Sequence, residues 1–299
     1  MARVSVCVPT FNCEDFIVAS LRSVLSQNAP QAEIITNDDA SSDSTAQLIA
    51  RIPDSSVVLG LNPARLGLVG NWNRCLELAS GDYVCVFHQD DVMLPGFLAR
   101  ATRALDDNPR ASFVFANVEI MDAAGRVTGG HWSPAALPAR DAVVPGPELL
   151  ARLCARGNFI PCQTVVMRAT AIRAAGPFDA RLTYTPDFEM WLRLCLQGDA
   201  AYLATPGVRI RRHPAQTSAR FIGAREVREL RRAFEIFFSA QRAGIANASA
   251  LARIAAGHLR DWSRLLARSA LRRGRVFSAL QLLIESARAG SVARAGMAE

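Results

Sequence analysis

The feature that most constrains this chain is the alternation of short β-rich runs with helical stretches over its first 120 residues. Strands are expected at Arg3–Pro9, Ala32–Thr36, Ser56–Gly60, Tyr83–His88 and Ser112–Ile120, and helices at Asp15–Gln27, Ser44–Ile52, Val69–Ala79 and Pro95–Asp107. A chain built this way covers both faces of a mainly parallel sheet with helices, so the expected class is α/β. Ser44 suits a helix N-cap, Pro95 a first helical turn and Asn108-Pro109 a helix stop. From Asp122 to Pro147 the chain is rich in Gly, Pro and Ala, which reads as a hairpin followed by a long loop. Order returns with a helix at Pro147–Ala155, a strand at Gln163–Arg168, a short helix to Ala175, a helix at Asp187–Leu196 and strands at Ala200–Ala204 and Val208–Arg212. Beyond Ile222 only helical patterns remain, over 222–243, 248–273 and 275–289, broken at Gly244 and Gly274. The expected division is therefore an α/β domain over 1–220 and an all-helical region over 221–299.

Three acidic clusters fall where a strand gives way to a loop or helix, the edge at which open α/β sheets collect ligands. They are Asn37-Asp38-Asp39-Ala40-Ser41-Ser42-Asp43, His88-Gln89-Asp90-Asp91 and Asp187-Phe188-Glu189-Met190-Trp191. Carboxylates so placed can hydrogen-bond a nucleobase, ligate a hard cation and accept a proton from a substrate hydroxyl. That combination points to an enzyme.

Composition narrows the class. Half of the residues are hydrophobic, enough for a sizeable core. The seven cysteines are odd in number and lack Cys-x-x-Cys spacing, so neither a disulfide framework nor a zinc knuckle is indicated. No basic leader precedes a long apolar stretch, and no run reaches the ~18 apolar residues of a membrane span, so a cytoplasmic protein is expected. Charge is unevenly placed: residues 1–208 hold 16 Arg against 21 acids, whereas residues 209–299 hold 18 Arg against 6. With 7% aromatic residues and no RNA- or DNA-binding motif, nucleic acid is not an expected partner.

Val8-Pro9-Thr10-Phe11-Asn12, Gln27 and Asp38-Asp39-Ala40-Ser41-Ser42-Asp43 resemble the N-terminal signature of family 2 glycosyltransferases with the GT-A fold. The resemblance continues through Gly67, Asn73, Ala79-x-Gly81-Asp82-Tyr83, His88-Gln89-Asp90-Asp91-Val92-Met93-Leu94-Pro95, Gly176-Pro177-Phe178-Asp179 and Asp187 to Arg193, covering about residues 1–215. It implies a Rossmann-like nucleotide-binding sheet, inverting transfer from a nucleotide sugar, UDP-linked by preference, and a saccharide or lipid-linked acceptor of bacterial surface polysaccharide synthesis. It also implies Mn²⁺ or Mg²⁺ as cofactor.

On this resemblance Pro9, Thr10, Phe11 and Asn12 flank the base, Asp39 accepts the uracil imide N–H, and Asp90 ligates the metal, with Gln89 a ribose contact. The local alternative for Asp38 to Ser44 is a polar turn capping the next helix. His88 stands where the family usually has a first aspartate, and Asp91 serves either the site or the cap of the following helix. Asp187 matches the aspartate that deprotonates the acceptor hydroxyl. Its alternative is an N-cap beside a Glu189–Arg193 pair. Pro186 replaces the more frequent acidic residue but suits a helix start. His213 is a metal or diphosphate ligand or an exposed residue of a basic run, and Arg65 a base or phosphate contact or solvated surface. His131 and Trp132 are candidates for acceptor stacking, against plain packing.

The C-terminal helices repeat apolar residues at helical spacing with arginines between them. They pack on their own catalytic domain, on a second subunit as a homodimer, or peripherally on an anionic membrane. A sugar-nucleotide pyrophosphorylase would need a Gly-rich loop after the first strand, and Pro9-Thr10-Phe11-Asn12-Cys13 has no glycine. A catalytically inactive nucleotide-sugar-binding scaffold is the other rival, motivated by His88 and Pro186.

Overall fold

A computed structural model describes residues 3–27, 32–129, 137–214, 216 and 223–297. His131 and Trp132 lie outside the described residues. Contacts divide the chain into two compact units. The first comprises Met1–Pro145, Ile160–Phe178 and Gln197–His213, and the second Gly146–Phe159, Asp179–Leu196 and Pro214–Glu299. Residues 146–159 and 179–196 thus group with the C-terminal helices.

The first unit is organised by one sheet. Its strands are β1 (Val4–Thr10), β2 (Ala32–Asp38), β3 (Val57–Leu61), β4 (Tyr83–Val86), β5 (Val92–Met93), β6 (Ala111–Met121), β7 (Ala142–Val144), β8 (Val166–Arg168) and β9 (Asp199–Arg211). The order is β3-β2-β1-β4-β8-β6-β9-β5, with β7 also on β9. The long ladders β1–β2, β2–β3, β1–β4 and β6–β9 are parallel, whereas the pairings of β8, β5 and β7 are antiparallel and only two or three residues long. The sheet is thus mixed and mostly parallel, of the GT-A-like kind.

β1 is hydrophobic on both faces because both are covered: Val6, Cys7 and Val8 are fully buried. Helices α1 (Ile17–Leu25) and α4 (Phe97–Asp106) contribute Ile17, Leu21, Phe97, Leu98 and Leu105 to the same core. α2 (Thr45–Ala50), α3 (Gly67–Leu78) and α6 (Ala169–Ala175) complete this unit. Since β2 and β4 flank β1 on opposite sides, the strand order reverses beside the carboxyl ends of β1 and β4. That is the crevice at which such sheets bind ligands.

Two short strands, β5 and β7, carry too few residues to show a period. β9 corrects the expectation of separate strands at 200–204 and 208–212. Pro206-Gly207 reads as a break, but the strand runs through it, and β9 itself carries the irregularity as a bulge, its stretch from Leu203 to Val208 standing against Ala116 to Val118 of β6. Glycine is required there because a Cβ at 207 would meet the Phe97 ring at 2.4 Å.

The second unit is helical: α5 (Gly146–Arg156), α7 (Pro186–Leu194), α8 (Ala224–Gln241), α9 (Ala248–Arg272), α10 (Val276–Arg288) and α11 (Gly290–Ala295). α9 is its central helix, touching α5, α8, α10 and α11, and α7 packs on α8 and α5. Phe188, Met190, Trp191, Leu192 and Leu194 are fully buried, with Phe188 edge-on to Phe234 of α8. Burial on all sides is why α7 groups with the later helices. Glu285 of α10 ties the bundle together: one oxygen accepts from Arg228 and Arg288, the other from Arg231. Among the described residues no helix is long and apolar enough to cross a membrane.

Candidate active site

In the first unit the loops after β1, β2 and β4 are laced together. Asp39 N–H donates to the Thr10 carbonyl at 2.8 Å and Asn12 N–H to Ser41 Oγ at 2.9 Å, while Asn12 Oδ1 accepts Ser42 N–H at 2.9 Å. Asn12 and Ala40 hold left-handed backbone, with φ of 44° and 58°, a strain that clusters at binding loops. Asp38 accepts Ser41 N–H at 2.8 Å and Thr10 Oγ1 at 3.1 Å, so its carboxylate shapes the loop.

Asp39 is almost wholly buried. Its Oδ1 accepts Leu66 N–H at 2.7 Å and Asn62 Nδ2 at 2.9 Å, and its Oδ2 accepts Gly67 N–H at 2.9 Å. The carboxylate therefore sits on the N-terminus of α3, where charge and orphan N–H groups favour it. Beneath it runs a buried amide network that the sequence reading missed. Asn37 Nδ2 donates to Asn62 and Asn71 at 2.8 and 2.7 Å, and Asn71 Nδ2 donates back to the Asn37 carbonyl at 2.9 Å. The loop that Asp39 anchors places the Arg65 guanidinium over the Phe11 ring, 3.9 Å from its centre.

Gln89 joins β4 to β1. Phe11 N–H donates to its Oε1 at 2.7 Å and its Nε2 donates to the Phe11 carbonyl at 3.1 Å. Asp90 meets His213, with Oδ2 and Nε2 2.9 Å apart. Arg211 holds the corner: its Nε donates to the Asp90 carbonyl at 2.9 Å and its N–H to Asp91 Oδ1 at 2.7 Å. Asp91 Oδ2 accepts Gln163 Nε2 at 2.6 Å. Asp91 is not the cap of α4, whose first residue follows Gly96 with φ 73°. Burial, followed by the charge of Asp90, pushes the Asp91 carboxyl well above the usual range. His88 stacks obliquely on Trp72 at 5.7 Å, and its buried Nε2 has no hydrogen-bond partner among the described residues. Desolvation lowers its pKa.

His88, Asp90 and Asp91 offer ligand atoms within 4.8 Å of one another. The chemistry of this set fits a divalent cation. Asp90 is one-fifth exposed and retains lone pairs, His213 and His88 supply imidazole nitrogen, and carboxylate with imidazole suits Mn²⁺ as carboxylate with water suits Mg²⁺.

In the helical unit Asp187 is the second residue of α7, behind Pro186 at the start. Its Oδ2 accepts Asn158 Nδ2 at 3.2 Å. Burial pushes the carboxyl from 3.8 up to about 6, against the opposing hydrogen bonds from Phe188 N–H and Asn158. The turn before α7 is held by Glu229 Oε2, which accepts Thr183 and Tyr184 N–H at 2.9 and 3.1 Å. Glu189 lies two residues onward, on the other side of the helix, and faces Arg193, which donates to both of its oxygens at 2.7–2.9 Å. That is the i,i+4 pair, and it occupies the Glu189 carboxylate.

Comparison with known proteins gives the same architecture. A family model described as glycosyl transferase family 2 matches residues 5–169. Uncharacterized protein MT1568 of Mycobacterium tuberculosis is 34% identical over 220 residues, covering 72% of this chain and 68% of that protein. The Escherichia coli UDP-Glc:alpha-D-GlcNAc-diphosphoundecaprenol beta-1,3-glucosyltransferase WfgD is 26% identical over 233 residues, 78% of this chain and 84% of WfgD. The crystal structure of S. aureus TarS 1-349 in complex with UDP-GlcNAc superposes with a TM-score of 0.70 at 17% identity, over 97% of this chain and 83% of that one.

Proposed function

The chain belongs to glycosyltransferase family 2, and we propose that it is an inverting, metal-dependent enzyme. It moves a sugar from a UDP-linked donor to a hydroxyl of a saccharide or lipid-linked acceptor in bacterial surface polysaccharide synthesis. The observation that carries this reading is Asp90 facing His213 at 2.9 Å at the end of β4, beside the Gln89–Phe11 clamp. WfgD, whose name gives a UDP-glucose donor and a diphosphoundecaprenol acceptor, supports the donor and acceptor class.

In this reading the base lies against Phe11 and Arg65, with Pro9, Thr10 and Asn12 shaping its loop. An ionised carboxylate has about four acceptor sites. Asp39 already receives three donors, and the remaining site takes the uracil imide N–H. Asp90 and His213 would hold Mn²⁺ or Mg²⁺, which would supply electrostatic relief for the departing diphosphate. Asp187 removes the acceptor proton as the hydroxyl oxygen attacks the anomeric carbon and the bond to the diphosphate breaks. A carboxyl raised to about 6 is ionised at neutral pH yet more basic than a solvated aspartate.

The test is thermal unfolding with UDP, UDP-sugars and GDP, each with and without Mn²⁺, alongside metal-dependent hydrolysis of the donor. A ligand at ~100 times its Kd adds about 2.7 kcal/mol. Metal-independent or absent stabilisation by every nucleotide would refute the reading, and binding without any turnover would leave the inactive scaffold.

A further inference from the structure

Helix α10 has an apolar face that no described residue of the helical unit covers. Its inner side, Ala279, Leu282, Glu285 and Ser286, is buried. Its other side presents Val276, Phe277, Leu280, Leu283 and Ile284, each 43–72% exposed. At the 3.6-residue helical repeat these five side chains fall within an arc of about 120°, turned away from the buried one. No charged residue lies inside that arc.

Arginines stand beside this face. Arg264, Arg268 and Arg272 follow one another at four-residue spacing along α9, and Arg273 and Arg275 form the turn into α10, all five exposed. None of them makes an ion pair among the described residues; Glu285 and Glu235 pair instead with Arg228, Arg231 and Arg288, and Asp261 is the one acid of α9. The apolar stripe therefore begins directly after an exposed basic turn, Arg272 to Arg275, that makes no ion pair among the described residues.

Charge selects the occupant. In a two-fold dimer through this face the same patch would meet itself and set arginine against arginine, since residues 209–299 hold only 6 acids against 18 Arg. An anionic bilayer offers acyl chains for the stripe and headgroups for the arginines at once. We propose that α10 and the Arg272–Arg275 turn dock this protein on an anionic lipid surface, with Phe277 and Leu280 entering the acyl boundary. The proposal deepens the transferase reading, because a lipid-linked acceptor is presented at such a surface.

The experiment uses the full chain and vesicles of phosphatidylcholine with or without phosphatidylglycerol, measured by co-sedimentation at low and high ionic strength. Binding is expected only with phosphatidylglycerol and should weaken with salt. The double substitution Phe277→Asp, Leu280→Asp, at exposed positions and with folding checked by circular dichroism, should lower partitioning at least ~100-fold. Replacing Arg272, Arg273 and Arg275 by Gln should lower it by about fivefold per arginine. No binding to anionic vesicles, equal binding to neutral ones, or binding indifferent to the α10 substitutions would overturn the proposal. So would a dimer in sedimentation velocity that the α10 substitutions dissociate, because the second copy would then own the face. Donor hydrolysis in vesicle-free solution is followed on the same preparations. Hydrolysis retained while vesicle binding is lost isolates docking; hydrolysis absent while vesicle binding persists counts against the transferase reading alone.

Discussion

Asp187→Asn should make the protein more stable and less active together. The carboxyl is pushed from 3.8 to about 6 because the start of α7 desolvates it. Two pKa units correspond to about 3 kcal/mol of preference for the protonated form. The sign follows from proton uptake: between pH 3.8 and 6 the folded chain binds more protons at this group than the unfolded chain does. Stability is thus lost as pH rises through that window, and the cost of the charged carboxylate is fully present above it. Asparagine cannot ionise and keeps both the shape and a hydrogen bond to Asn158. The difference in unfolding free energy, mutant minus parent, should rise from acid pH and level off near +3 kcal/mol above about pH 7. Turnover should fall by roughly 10²–10⁴, the range for loss of a general base, with donor affinity unchanged. In the parent, kcat/KM should drop about tenfold per pH unit below 6 as Asp187 takes up a proton. Denaturant unfolding at several pH values, steady-state kinetics and calorimetric UDP binding measure all three. A stability difference that does not change with pH, or comparable kcat in mutant and parent, would refute the reasoning.

Asp90→Ala should abolish the Mn²⁺ dependence of UDP affinity in calorimetry while leaving thermal unfolding in metal-free buffer nearly unchanged. Gln89→Ala removes both hydrogen bonds to the Phe11 backbone and should weaken UDP by about tenfold, at ~1 kcal/mol net for a typical bond; equal affinity would show that the clamp is dispensable. Glu229→Ala strips the acceptor from Thr183 and Tyr184 N–H and should cost about 1–3 kcal/mol of stability and lower kcat without changing UDP affinity. Gly207→Ala sets a methyl against the Phe97 ring and should destabilise by about 1–3 kcal/mol in denaturant unfolding, with Ala-tolerant stability at that position the refuting result.

Much of the fold was legible because its signals are local. Val4 to Val8 alternate and lie between turn residues, and β1 forms there; the α4 pattern of Phe97, Leu98, Ala101 and Leu105 is a helical repeat and all four are buried. What local signals cannot carry is partnership over distance. Asp91 reads equally as a site residue or a cap, and its true partners, Gln163 and the Arg211 backbone, lie 72 and 120 residues away. The buried amides Asn37, Asn62 and Asn71 read as ordinary loop and surface polar residues, and only their convergence under Asp39 shows why each is an acceptor-bearing side chain. For α10 the periodicity contains two apolar stripes, Ala279 with Leu282 and Val276 with Leu280 and Leu283. Sequence cannot say which of them the other helices cover.

The departure at His88 changes the chemistry at one strand end. An aspartate at this position would stand beside Asp90 and Asp91, adding a third negative charge to a corner where Asp91 is already pushed up by burial and by Asp90. Histidine, held near neutral by its own desolvation, removes that repulsion and packs its ring against Trp72, while its backbone carbonyl accepts Ser20 Oγ at 3.1 Å. On the other side of Asp90, His213 approaches from just past the end of β9 at 2.9 Å, and Phe16 lies 4.7 Å from its ring. Arg211 secures the corner, since one side chain and one backbone N–H from the same residue fix Asp90 and Asp91. The motif therefore deviates in sequence, yet the corner retains an accessible carboxylate with imidazole beside it, which is the chemistry a hard or borderline divalent cation requires.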